Sequence, residues 1–201
     1  MFSASQKAIF LVITIAVALF AASPAIQHYL VYPQETPFTE FWLLDLTHAA
    51  ENYPYNITSG SNSLVYFGIA NHLSHYGYYV IEVKLRNYSE PGPDSLVGTP
   101  SNLPSLYNIT MFVPNQEWRE VPLSFSLNFT LDEPTTVNNV VLNDVNINIG
   151  PWLLYHNDTV GEYACNLFFE LWIYNSNIND FQYHQRSLGL HLSLTDPNKG
   201  V

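Results

Sequence analysis

From residue 38 onward, apolar and polar positions alternate with a period of two, and no helical period of any length interrupts them. In "YGYYVIEVKLRN", Tyr79, Ile81, Val83 and Leu85 fall on one face, with Glu82, Lys84 and Arg86 on the other. In "VPLSFSLNFTL", Val121, Leu123, Phe125, Leu127, Phe129 and Leu131 face inward, while Ser124, Ser126, Asn128 and Thr130 face outward. "VVLNDVNINI" sets Val145, Ile147 and Ile149 against Asp144, Asn146 and Asn148, and "SLGLHLSL" places Leu188, Leu190, Leu192 and Leu194 on one side. Shorter strands fit 39–47, 64–70, 107–113 and 163–174. Strands with one greasy face, separated by Gly, Pro and Asn turns, predict two antiparallel sheets packed face to face. The expected fold is mainly β: an immunoglobulin-like sandwich of about 7–9 strands.

The first thirty residues follow a different pattern. One positive charge, Lys7, precedes an apolar run from Ala8 to Ala22 that reaches Ile26 if Ser23 and Pro24 are allowed. At about 1.5 Å per residue this run spans roughly 28 Å, close to a bilayer's hydrocarbon core. Lys7 places the N-terminus inside and the remainder outside by the positive-inside rule. The reading is a short cytoplasmic segment 1–7, a transmembrane helix 8–27, a Pro-containing stalk 28–37, an extracellular sandwich 38–196 and a tail 197–201. A cleaved signal peptide ending near Ala21, Ala22 and Ser23 stays open, as does a pilin-like start, since Lys7 and Ala8 resemble the processing site of archaeal type IV pilins. Pro24 and Pro33 would interrupt the long helix of a pilin.

Composition narrows the function classes. Hydrophobic residues make up 47% of the chain, ample for a sizeable core. Charged residues are only 11%, with 17 carboxylates against six Lys and Arg. With Lys7 set aside, too few basic residues remain to neutralise a phosphate backbone, and nucleic acid is excluded. Cys165 is the single cysteine, so neither an internal disulfide nor a Cys-based zinc site is available. A surface of Asn, Ser, Thr and Tyr with few charges suits an acidic exterior, or a surface masked by sugars or partner subunits.

Five N-glycosylation sequons occur, at Asn56, Asn87, Asn108, Asn128 and Asn157. Asn108 and Asn128 fall on polar strand faces and the other three in expected turns. Among the seven histidines, His72 and His75 are close but bracket a loop without a third ligand. After Cys165, "NLFFELWIYN" contains no His, which removes a cupredoxin site. No G-x-S-x-G, H-E-x-x-H or P-loop is present, and Glu117, Glu120 and Glu170 have no spacing that pairs them. No catalytic residue, cofactor or metal is assigned, and the expectation is a protein that is not an enzyme. In "GEYACNLFFELWIY", Gly161, Tyr163 and Cys165 have the spacing of a tyrosine corner. With Leu167, Phe169 and Leu171 facing the core, Phe168, Trp172 and Tyr174 line up on the outer face as an interaction patch, unless the chain itself covers them.

"FTEFWLL", "AENYPYNIT", "YFGIANH", "YYVIEVKL", "FFELWIYN" and "RSLGLHLSL" resemble an archaeal family known as domain of unknown function 1616, over about 38–196. The resemblance is most specific at Phe38, Glu40, Glu51, Asn52, Tyr53, Pro54, Gly68 and Asn71, and segment 132–160 departs from it as an insertion. It implies a membrane-anchored protein with an exported β-sandwich on an archaeal cell surface, and it supplies no catalytic residues. The expected role is a glycosylated structural, scaffolding or binding subunit with a protein partner in the membrane or envelope. An accessory subunit of a respiratory or transport complex, a filament subunit and an enzyme acting on surface sugars are the alternatives.

Overall fold

The computed structural model describes residues 3–29, 36–157 and 161–196, and the chain divides into two compact units, 1–36 and 37–201. The first contains helix α1, Ala4–Tyr29. Ser3 and Gln6 close its start reciprocally: Gln6 N donates to Ser3 Oγ, and Ser3 N donates to Gln6 Oε1. Over Ala4–Ser23 the helix is long and apolar enough to cross a membrane, and its apolar side chains are exposed. It begins four residues before the expected span and continues through Pro24 to Tyr29, so Pro24 does not end it. Most of the expected stalk, and the tail from 197, lie outside the described residues.

Among the described residues of the second unit, the regular structure is β. Its strands are β1 (Phe38–Leu44), β2 (Asn56–Thr58), β3 (Ser63–His72), β4 (Gly77–Arg86), β5 (Tyr107–Val113), β6 (Glu117–Thr130), β7 (Thr136–Leu142), β8 (Val145–Leu153), β9 (His156–Asn157), β10 (Glu162–Asn175) and β11 (Asp180–Thr195). One sheet runs β1-β3-β6-β7-β8, and the other runs β2-β11-β10-β4-β5 with β9 beside β10. All pairings are antiparallel except β2 with β11, where Asn56 lies opposite Ser193 and Thr58 opposite Thr195. Ten strands of three residues or more, plus the two-residue β9, exceed the seven to nine expected. The excess has an identifiable source: part of segment 132–160 folds as the β7–β8 hairpin and extends the first sheet past β6. The short β2 adds another strand where a turn was expected.

The predicted alternation sets the core. Ile81, Val83, Leu123, Phe125, Leu127, Leu167, Phe169, Leu171 and Leu192 are buried between the sheets. Phe67 of β3 meets Phe169 of β10 edge to face, with ring centroids 4.4 Å apart. Val145 departs from its expected inward position, being exposed at the start of edge strand β8. At one end of the core a polar chain links the sheets. His184 Nε2 lies 2.8 Å from Thr39 Oγ1, which is 3.1 Å from the Tyr79 hydroxyl, and that hydroxyl donates to Asn71 Oδ1. Asn71 also donates to the carbonyls of His75 and Val113 and accepts from Leu73 N, so its side chain closes the end of β3.

The outer face of the second sheet carries charges that the alternation alone would leave in water. Lys84 and Glu170 both point outward, yet both are buried, because the connection 87–106 folds back over them. Lys84 Nζ donates to Glu170 Oε2 at 2.7 Å and to the Ser101 carbonyl at 3.2 Å, and it forms an ion pair with Glu82 Oε2 at 3.0 Å. Ser101 N donates to Glu170 Oε1 at 2.6 Å. The expected solvated carboxylate at Glu170 is therefore a buried, fully partnered one.

Two outcomes follow for stability. Glu170→Ala strands the Lys84 charge and lowers the unfolding free energy by about 3–5 kcal/mol, whereas Lys84→Met with Glu170→Leu costs less than either single change, as a denaturant titration of the four proteins reads. Burial, aided by the Arg186 charge, pushes His184 down to about 4. The unfolded state then binds a proton first, near the ordinary value of about 6.5, so stability falls as pH drops from there towards 4. Melting curves across that range are expected to lose this part of their slope in His184→Gln.

Candidate functional site

Strand β10 places Leu167, Phe169, Leu171 and Ile173 inward and Phe168, Glu170, Trp172 and Tyr174 outward, the parity read from the sequence. The three aromatics nonetheless do not form one exposed row. Phe168 is only 2% exposed, buried with Glu170 on the covered half of the face. Trp172 is half-buried, with its ring 5.8 Å from that of Tyr183. Only Tyr174, at the far end, is open, and its hydroxyl donates to Asn179 Oδ1 at 2.6 Å. The expected patch is corrected accordingly: its centre moves to this uncovered end.

There Tyr174 joins rings from three other strands and one turn. Phe181 of β11 lies 5.5 Å from Tyr174, and Tyr78 of β4 lies 5.1 Å from Phe181. Phe112 of β5 stands opposite Tyr78 in the ladder and stacks on Tyr76 at 5.3 Å. Tyr76 is 65% exposed and Phe112 59%, and Tyr78 is open as well. Asn175 donates to Gln182 at the border, giving an amide rim. Adjacent aromatics with open faces and few charges form a surface suited to burying another molecule's apolar or planar groups. Tyr76, Tyr78, Phe112 and Phe181 were not singled out in the sequence. Tyr78 and Phe112 have the outward parity of their strands, but only the pairing of β10 with β4 and of β4 with β5 brings them beside Tyr174.

The other candidate residues disperse. Asn56 and Asn108 are exposed, and Asn128 is half-buried on its strand. Asn56 sits in β2, not in a turn. Asn87 is 7% exposed, and its Oδ1 accepts from Ser89 N, Ser89 Oγ and Glu90 N, so a glycan there would displace the turn that starts the 87–106 cover. Asn157 belongs to β9, and the remainder of its sequon lies outside the described residues. His72 stacks on Phe38 and faces Glu40, while His75 contacts the Leu73 carbonyl, so the two do not converge. Among the described residues no three His, Cys, Asp or Glu side chains are placed to hold a metal. Glu117 and Glu120 lie on β6 and Glu170 on β10, in different sheets. Tyr163, the expected corner tyrosine, packs edge-on against His156.

A second polar cluster ties β2, β10 and β11 together. Glu162 accepts from the Tyr55 hydroxyl at 2.9 Å and lies 2.8 Å from His191 Nε2, while the Tyr88 hydroxyl is 2.7 Å from His191 Nδ1. Burial alone would raise the Glu162 carboxyl, but hydrogen bonds from Ser193, His191 and Tyr55 outweigh it and hold the group below the usual range. The same carboxylate raises Tyr55. Tyr88 begins the 87–106 cover, so this cluster fastens that connection at its start.

No family model and no curated protein matches the chain. Solved structures do. A beta-glucosidase from Listeria innocua in complex with glucose aligns over 82% of this chain and 17% of its own, at 10% identity and a TM-score of 0.41. The same enzyme with isofagomine aligns over 81% and 17%, at 11% identity and a TM-score of 0.39. The ASH / PapD-like domain of human CEP192 aligns over 82% of this chain and 91% of its own, at 12% identity and a TM-score of 0.30. This chain thus spans about a sixth of the length of the glucosidase chains it matches. The expectation that the protein is not an enzyme is withdrawn on this finding, and likeness of this low degree assigns no activity in its place.

Burial at Cys165 generates a check on the site chemistry. It pushes the thiol up to about 12, so almost no thiolate forms at pH 8. The folded protein is expected to resist iodoacetamide at that pH and to react stoichiometrically once denatured, with the mass shift measured in both states.

Proposed function

We propose that the chain is a membrane-anchored protein of the cell envelope whose β-domain is displayed outside and serves as a structural, scaffolding or binding subunit. The observation that carries this reading is the open aromatic end formed by Tyr76, Tyr78, Phe112 and Tyr174, on a domain otherwise dressed in Asn, Ser and Thr. The partner is a protein of the membrane or envelope layer. An N-terminal helix of membrane-spanning length supports the anchor. The exposed sequons Asn56 and Asn108, with the half-buried Asn128, support glycosylation of the displayed domain. The resemblance to the archaeal family of unknown function agrees with this setting.

The domain is read as immunoglobulin-like. Strands β1, β3 and β6 stand in the order of strands A, B and E, and β11, β10, β4 and β5 in the order G, F, C and C′. The β7–β8 hairpin then extends the first sheet beyond the E position.

Detergent purification of the native protein, with peptide mapping of what accompanies it, tests the proposal. A stoichiometric membrane or envelope partner, lost from Tyr78→Ala with Phe112→Ala while the melting temperature holds, is the expected result. Mapping should find hexose-bearing Asn56 and Asn108 and an unmodified Asn87. Protease added outside intact cells should degrade the β-domain. A domain protected from that protease, or a partner retained by the double variant, sinks the reading.

A further inference from the structure

The outer face of the other sheet carries a separate arrangement. On β1, β3 and β6 the outward positions form cross-strand rows, Trp42 with Gly68 and Glu120, and Glu40 with Ala70 and Trp118. Gly68 matters here for space: a Cβ at this position would collide with the Trp42 indole, so the ring rests directly on the backbone of β3. Trp42 is half-buried. Its Nε1 donates to Glu120 Oε1 at 3.2 Å, which fixes the ring in its plane. The other carboxylate oxygen lies 3.0 Å from His48 Nδ1, and the His48 ring lies 4.0 Å from that of Tyr66. His48 is held there by a turn in which Asp45 Oδ1 accepts from Thr47 N and Ala49 N, and its own φ is 60°. Trp118, diagonally across the face, is 60% exposed.

From this geometry we infer that the Trp42–Trp118 face is a binding site for a neutral saccharide. Three features of the face point to that ligand class. The rings lie two strands and two residues apart, about 12 Å from strand spacing and rise, a span that suits a short oligosaccharide better than one sugar ring. An indole lying flat on a sheet offers the electron-rich face that the slightly positive axial C–H groups of a pyranose contact. The carboxylates beside the rings are the third feature. Glu120 accepts from Trp42 Nε1 and lies 3.0 Å from His48 Nδ1, and Glu40 lies 3.2 Å from His72 Nε2. Their remaining lone pairs are free to accept from hydroxyls, the way a few placed polar groups fix a ligand's orientation. The inference is independent of the aromatic end of the other sheet, which lies on a different face of the sandwich.

The test uses the full chain in a detergent without sugar headgroups. Gluco- and manno-oligosaccharides of increasing length are titrated against tryptophan fluorescence and calorimetry, with tetramethylammonium as the cationic comparison. The expected result is saturable binding of at least one oligosaccharide, tightening with length and insensitive to salt. Trp42→Ala and Trp118→Ala should each weaken it by about tenfold. Gly68→Ala, which keeps every ring but lifts Trp42 from its seat, should weaken it comparably, with thermal melts confirming that each variant is folded. Absence of binding by any oligosaccharide in the panel, preference for tetramethylammonium, or affinity unchanged in folded Trp42→Ala and Trp118→Ala overturns the inference.

Discussion

A lysine ammonium and a glutamate carboxylate held out of water are the constraint on which the β-domain's surface depends. Removing such charges from water costs several kcal/mol per ion unless nearly every donor and acceptor is matched. Here Lys84 donates to Glu170 and to the Ser101 carbonyl and has the Glu82 carboxylate beside it as a second ion-pair partner. Glu170 in turn takes the Ser101 amide. Two of these partners are backbone atoms of one residue in the 87–106 connection, so that connection has one register in which the charges are satisfied. Asn87 shapes the turn that launches it, and Tyr88 fastens it to His191.

That cover divides a single sheet face into two kinds of surface. Beneath it, Phe168 and Glu170 belong to the interior although they point away from the core between the sheets. Beyond it, the same strands leave Tyr78, Phe112 and Tyr174 open to other molecules. The opposite sheet has Trp42 seated on Gly68 and tied to Glu120 and so keeps its aromatic rings ordered by contact with its own backbone. The two outer faces are thus built by different means, one by an overlying loop and one by a missing side chain.

Alternation read along the chain places the buried apolar residues of β4, β6 and the end of β11 and the inward row Leu167, Phe169 and Leu171 of β10, because a period of two needs only local information. It also gives the correct parity for Phe168, Trp172 and Tyr174. What it cannot give is which outward residues are covered, since the cover comes from residues 70 positions away in sequence and is announced only by Ser, Gly and Pro. The role of Asn71 is of a legible kind, because a polar residue ending an apolar strand has a standard use. Tyr78 and Phe112 were not legible, because their meeting depends on β4 pairing with β5. Val145 was misread because an edge strand has no second neighbour to hold its inward face against the core. The strands that alternation did not announce are β7, in the Asn-rich 132–160 segment, and the short β2 and β9.

The parallel contact of β2 with β11 carries a mechanical consequence. Tension entering the β-domain from its N-terminal side, against a partner gripping the last strands, would pull these two strands past each other along their length. Asn56, Ile57 and Thr58 face Ser193, Leu194 and Thr195, and Ser193 N also bonds the Tyr55 carbonyl. Loaded in that direction, the bonds share the force and must yield together, whereas an antiparallel hairpin peeled from its end gives way one rung at a time. Under such a load the domain is protected at this seam by its geometry, although the seam is only three residues long.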